Sequence, residues 1–236
     1  MIDFHPSTGP TLGVEWELAL VDGDTLDLVP RADDVMPPLT SSEHISARFH
    51  RELLSNTVEI VTEVCRDVPE VTADLDRSLT ALREVTGPLG LELLCAGTHP
   101  FARWQSQEVS EGERYATLID RTRWWGRQMV IYGVHVHVGI TDVRRVLPIL
   151  DGLLPFTPHL QALSASSPFW VGEETGYASN RAQMFQQLPT AGLPFQFAEW
   201  SEYERYVDDL LVTGVPRLVR RSDGVDVVGR RQRRDP

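Results

Sequence analysis

Residues 12–21 read LGVEWELALV, and in them Val14, Trp16 and Leu18 alternate with Glu15 and Glu17. A period of two predicts a strand with one apolar face and one acidic face. Side chains at i and i+2 share a face, so the two carboxylates sit about 6–7 Å apart at Cα. With about 5 Å between the charges and an effective dielectric of about 20, their repulsion is about 3 kcal/mol. A half-buried strand tolerates that only with a cation between them or a shared proton. By itself E-x-E is an ordinary solvent-facing strand pattern. The pair gains meaning only from its surroundings.

Outward from this strand, Asp22-Gly23 predicts a turn into a short partner strand near Leu26–Val29. Residues 47–64, ARFHRELLSNTVEIVTEV, are strand-rich and strongest at Thr57–Val61. Pro69 suits the first turn of a helix whose apolar stripe is Leu75, Leu79, Leu82 and Val85, ended by Gly87-Pro88. LELLCAG, 91–97, is a buried-type strand. Ser110 with Glu113 forms a capping box, predicting a helix to about Met129 in which Trp124-Trp125 packs in the core. VIYGVHVHVGI, 130–140, is a strand with His135 and His137 on one face and Val134, Val136 and Val138 on the other. Helical patterns follow at 142–165, 178–188 and 199–213. Strands come first, with hairpins and no regular βαβ alternation. The expected fold is α+β with a mainly antiparallel sheet.

Composition narrows the function classes. The 236 residues, 42% apolar and 24% charged, suffice for one large core. No apolar run approaches the ~18 residues that span a bilayer. MIDFHPSTGPTLG lacks the pattern of a signal peptide, so the expected location is cytoplasmic. Cys65 and Cys95 lie in apolar runs and are expected as buried thiols, not a disulfide. A net charge of −12 argues against nucleic acid or anionic membranes as partners. All 22 basic residues are arginine. A chain without lysine has no P-loop lysine, no lysine Schiff base and no lysine general base. The charge is also uneven: residues 1–214 carry −16 and residues 215–236 carry +4, with seven arginines.

Other candidate ligands share the format of the Glu15/Glu17 pair. Glu52 and Glu59 flank LLSNTV, Glu59 sits between Val58 and Ile60, and Glu63 ends that run. His135 and His137 repeat the i, i+2 spacing. Singly, each is an edge-strand glutamate or a hydrogen-bonded core histidine. Together they put oxygen and imidazole donors on three strands. Such a carboxylate-rich set suits Mg²⁺ or Mn²⁺ better than structural zinc, which usually takes cysteines.

Taken in order, GVEWEL (13–18), ELLSNTVEIVT (52–62), AGTHPFARW (96–104), GVHVHVG (133–139), SSPFW (166–170) and TGYASNRAQMF (175–185) resemble the glutamate–cysteine ligase type 2 family. These are bacterial carboxylate–amine ligases of the glutamine synthetase-like superfamily. The resemblance covers about residues 10–214. It implies a curved antiparallel sheet with helices on one side, whose inner face binds ATP and Mg²⁺. It also implies a reaction in which the γ-carboxylate of glutamate, activated as an acyl phosphate, is joined to the amine of cysteine or another amine. Carried over by position, Glu17, Glu52 and Glu59 would hold one metal, and Glu15 and His135 the one that bridges ATP phosphates. Arg181 would meet a substrate carboxylate or a transferring phosphoryl group, or else form a surface salt bridge. His99 and His137 are further candidates, and a homo-oligomer is compatible.

The chain departs from the family pattern after Gly214. No Leu-Glu-Val-Arg-like run follows; the family's glutamate there would complete the metal shell and its arginine would help hold substrate. Residues 215–236 are expected to be an Arg-rich, non-matching tail on an incomplete catalytic domain, from a frameshift or a natural short form. Two competing readings stand beside the ligase. One is a non-catalytic fragment or pseudoenzyme; the other is a metal-dependent hydrolase, against which the absence of HExxH counts.

Overall fold

The computed structural model describes residues 4–40, 48–188 and 191–213; the Arg-rich stretch 215–236 lies outside the described residues. The first strand, β1 (Leu12–Asp22), is eleven residues long and organises the sheet. After it come α1 (Ala32–Thr40), β2 (Phe49–Arg51), β3 (Thr57–Val61), α2 (Val68–Thr86) and β4 (Leu91–Leu94). Next are α3 (Glu113–Thr122), α4 (Trp124–Arg127) and β5 (Val134–Val138). The remainder is α5 (Val146–Leu153), α6 (Thr157–Ser164), the β6–β7 pair (Phe169–Trp170, Glu173–Glu174), α7 (Asn180–Phe185) and α8 (Trp200–Thr213). The fold is α+β, and every pairing in the main sheet is antiparallel.

The strand order is β2-β3-β1-β4, with β5 also paired to β1. β3 takes one edge of β1 over Glu15–Ala19. Its other edge is long enough for two partners end to end, β5 over Leu12–Trp16 and β4 over Ala19–Asp22. The alternation in β1 then separates two environments. Leu18 and Leu20 point to one side, where they pack with Val58, Ile60 and Phe49 against Val35, Met36 and Leu39 of α1 and Leu82 of α2. Leu82 is fully buried, so truncating it to alanine costs about 2–5 kcal/mol. Ala19 and Val21 point to the other side and join Leu28, Leu54, Ala102, Val130 and Tyr132. Glu15 and Glu17 continue that second face.

α2 forms where its sequence predicts, with a proline in the first turn; the structure adds a cap, Asp67 accepting from the Glu70 amide at 2.9 Å. Five features differ from expectation. The Ser110/Glu113 pair is not a capping box. The helix opens at Glu113 with Gly112 at its N-cap and no side-chain cap, because Ser110 Oγ donates instead to the Glu52 carbonyl at 2.6 Å. Nor does it run to Met129, since Arg123 adopts φ 55° and separates α3 from α4. The turn leaves Trp124 and Trp125 54% and 42% exposed, stacked edge-on rather than in the core. Cys95 is exposed and accepts from Trp16 Nε1 at 3.0 Å, while Cys65 is buried; both are free thiols. The helix α1, which contains Pro37 and Pro38, was not anticipated; its apolar side packs on the sheet and offsets the lost helical hydrogen bonds. Among the described residues, no helix is long and apolar enough to cross a membrane.

Candidate metal centre

The register brings separate stretches of sequence to one face. Across from β1, Glu15 is partnered with His135, Gly13 with His137, and Glu17 with Glu59. Glu15 Oε2 lies 3.0 Å from His135 Nδ1, and Glu15 Oε1 lies 3.2 Å from His137 Nε2. Glu52 comes in from just beyond β2, its own Oε2 accepting the Leu53 amide at 3.1 Å. Two triads result. One atom from each of Glu15, Glu59 and His135 lies within 4.8 Å of the others, and the same holds for Glu17, Glu52 and Glu59. Glu59 belongs to both.

Proton affinities in this cluster diverge for physical reasons. Burial alone would raise the Glu15 carboxyl, but hydrogen bonds and charge from His135 and His137 outweigh it and hold Glu15 at about 2. Burial and the Glu52 charge push Glu17 up to about 7. Burial, then Glu52, Glu15 and Glu17, push Glu59 up to about 9. The hydrogen bond to Glu15 raises His135 above its ordinary value. Carboxylates held this close in a half-buried place are stable only with protons or a cation among them. Three carboxylates in one triad, and two carboxylates with an imidazole in the other, are hard donors of the type Mg²⁺ and Mn²⁺ accept. The donor set fits a divalent cation in both triads.

Arg181 reaches the same region from α7. The helix is capped by Ser179, whose hydroxyl accepts from the Ala182 amide at 3.3 Å. Arg181 Nε donates to the Tyr132 carbonyl at 2.6 Å, and its guanidinium carbon lies 5.4 Å from the Phe185 ring centroid. The guanidinium fits because residue 133 is glycine: a Cβ there would stand 2.7 Å from Arg181 Nη2 and 3.5 Å from Glu17 Oε2. Burial lowers its proton affinity while Glu17 opposes that. This is a cation against the acidic cluster, not a surface salt bridge.

His137 shares the face of the cluster. His99 does not belong to it: Nε2 donates to the Leu26 carbonyl at 2.8 Å, and Nδ1 accepts from the Ala102 amide at 3.0 Å. Glu63 ends up past β3, where its amide donates to Asp74 Oδ2 at 2.7 Å. Sequence reasoning missed Arg114, whose charge opposes the upward shift of Glu59, and Gly133, which makes room for Arg181. No local pattern marks either; only the register of β5 and the turn into α3 do.

Comparison with known proteins shows what the chain as a whole is similar to. The family model described as glutamate–cysteine ligase family 2 (GCS2) matches residues 11–234. A protein of Paenarthrobacter aurescens, provisionally named glutamate–cysteine ligase 2-2, is 60% identical over 220 residues, which is 91% of this chain and 57% of the relative. One of Leifsonia xyli subsp. xyli, provisionally named glutamate–cysteine ligase 2, is 59% identical over 215 residues, with the same shares. The chain thus spans a little over half the length of these curated relatives. Among solved structures, a glutamate–cysteine ligase of Francisella tularensis in complex with AMP aligns with a TM-score of 0.47 at 11% identity, over 64% of this chain and 30% of that one.

Proposed function

This chain belongs to glutamate–cysteine ligase family 2, and from that premise we propose that its acidic face is the centre of an ATP-dependent carboxylate–amine ligase. The substrates are ATP, glutamate and an amine, cysteine by family. The observation that carries this reading is the pair of ligand triads sharing Glu59. Glu17, Glu52 and Glu59 would hold one divalent cation, and Glu15, His135 and Glu59 a second. Bound there, divalent cations supply charge neutralisation for a carboxylate and a polyphosphate that must approach each other.

The reaction is balanced by the substrates themselves. A γ-carboxylate oxygen of glutamate attacks the γ-phosphorus of ATP and ADP leaves. The amine nitrogen then attacks the acyl carbon, and phosphate leaves with that carboxylate oxygen. No enzyme nucleophile is needed, and the chain has no lysine to offer one. Arg181 is the bidentate donor for a substrate carboxylate or the transferring phosphoryl group. Its Nε bond to Tyr132 fixes the plane of that fork. An arginine guanidinium keeps its charge in proteins, so this donor stays cationic through the reaction.

The test is ADP release from Mg-ATP with purified protein, with and without glutamate and cysteine, alongside thermal melts. The reading predicts a melting point raised by Mg-ATP and ADP release that depends on both amino acids. Stabilisation by Mg-ATP without ligation would instead favour a non-catalytic binding form. Substrate hydrolysis independent of ATP would favour the hydrolase.

A further inference from the structure

Glu52 is held differently from the other candidate ligands. Glu15, Glu17, Glu59 and His135 sit inside paired strands, whereas Glu52 follows Arg51, the last residue of β2, and has left the ladder. Its backbone is gripped instead by the stretch 107–115. Ser110 Oγ donates to the Glu52 carbonyl at 2.6 Å, and the Ser110 amide donates to the Leu53 carbonyl at 2.9 Å. Tyr115 Oη donates to the Arg51 carbonyl at 2.7 Å. Further along, the Ser55 amide donates to the Glu108 carbonyl at 3.0 Å, and Asn56 Nδ2 to Gln107 Oε1 at 2.7 Å. Ser110 and Tyr115 are both more than nine-tenths buried. The serine could have capped the helix that opens at Glu113, yet its hydroxyl is spent on Glu52.

We infer that Ser110 and Tyr115 are positioning residues for Glu52, setting the third carboxylate of the Glu17/Glu52/Glu59 triad and so the cation affinity of that triad alone. The inference rests on the metal centre proposed above. Glu52 repels Glu17 and Glu59, so a freely rotating chain at this point would carry its carboxylate away from them. A backbone pinned on both sides of Cα, with the Leu53 amide bonded to Glu52 Oε2 at 3.1 Å, limits that escape. Groups that orient a metal ligand are worth about 10–100-fold in metal affinity when removed. The other triad draws its ligands from β1, β3 and β5, whereas the Ser110 and Tyr115 hydroxyls bond the backbone at Glu52 and Arg51.

The experiment is a Mn²⁺ titration of the full chain, by calorimetry and electron paramagnetic resonance, on the unsubstituted protein and on Ser110→Ala, Ser110→Thr and Tyr115→Phe. The expected result is two bound Mn²⁺ in the unsubstituted chain, one of them weakened about 10–100-fold by Ser110→Ala with the other unchanged. Ser110→Thr keeps the hydroxyl and restores the weakened one. Tyr115→Phe keeps the ring and weakens the same one, so it carries the test if Ser110→Ala does not fold. Two Mn²⁺ bound with unaltered affinity in both variants overturns the inference, as does an equal loss of both together with thermal stability. No Mn²⁺ binding by the unsubstituted chain overturns the metal centre itself, and the inference with it.

Discussion

Glu59 stands directly across from Glu17 in the β1–β3 ladder, and its carboxylate is common to both ligand triads. Without a cation this facing pair is an electrostatic conflict, relieved by protons: Glu59 is pushed up to about 9 and Glu17 to about 7. Between the ordinary carboxyl range and these values, the folded chain keeps protons that the unfolded chain releases. Stability therefore falls as pH rises from about 5 to about 9. Glu15, held at about 2, contributes the opposite slope, but only below the ordinary carboxyl value. Thermal melts in a chelator at about pH 5, 7 and 9 should show a steadily falling midpoint, and saturating Mg²⁺ or Mn²⁺ should reduce the fall. A flat profile in chelator contradicts this electrostatic picture.

Glu59→Gln removes the shared charge and keeps the shape. In the absence of metal it should flatten the pH profile between about pH 7 and 9. With metal it should weaken both Mn²⁺ positions, unlike Glu52→Gln, which should weaken one. Calorimetric titration of the two variants distinguishes the shared ligand from the unshared one.

Arg181→Lys keeps a positive charge but loses the planar donor that the Tyr132 carbonyl orients at 2.6 Å. Ligation should fall by about 100-fold or more, with only a small change in melting point. Gly133→Ala should act in the same direction, since the added carbon would stand 2.7 Å from Arg181 Nη2. Steady-state rates with varied glutamate and ATP measure both effects. An unchanged rate in Arg181→Lys removes this residue from the site.

His99 gives a prediction about stability instead of catalysis. Both ring nitrogens are engaged, with the Leu26 carbonyl and with the Phe101 and Ala102 amides, and burial lowers its proton affinity. His99→Ala should cost about 1–3 kcal/mol at neutral pH. The contribution of a histidine with a lowered value is full above its unfolded value, about 6.5, and is lost as pH falls below it. The gap between His99→Ala and the unsubstituted chain in urea melts should therefore narrow at about pH 5.

Much of the sheet was legible because its strands are loaded asymmetrically. LGVEWELALV, Thr57–Val61 and GVHVHVG each carry donors or polar groups on one face, and a period of two survives in all three. Register was not legible, because it depends on which strands meet. So Glu59 could be placed by resemblance beside Glu17 and Glu52, while its approach to Glu15 and His135 needed the ladder. Ser110 misled for a related reason: a capping pattern is local, and the half-buried Glu52 carbonyl that claims its hydroxyl lies 58 residues away. The Pro37-Pro38 pair hid α1 because proline's local cost is readable in sequence and the packing that offsets it is not.

The most direct test of the proposed chemistry follows one oxygen. Glutamate labelled with ¹⁸O in its γ-carboxylate is supplied with Mg-ATP and cysteine, and the released phosphate is analysed by mass spectrometry. An acyl-phosphate ligase at this site transfers one labelled oxygen from glutamate to each phosphate released. Peptide product accompanied by unlabelled phosphate would contradict the account, as would folded, Mg-ATP-stabilised protein that releases no ADP when both amino acids are present.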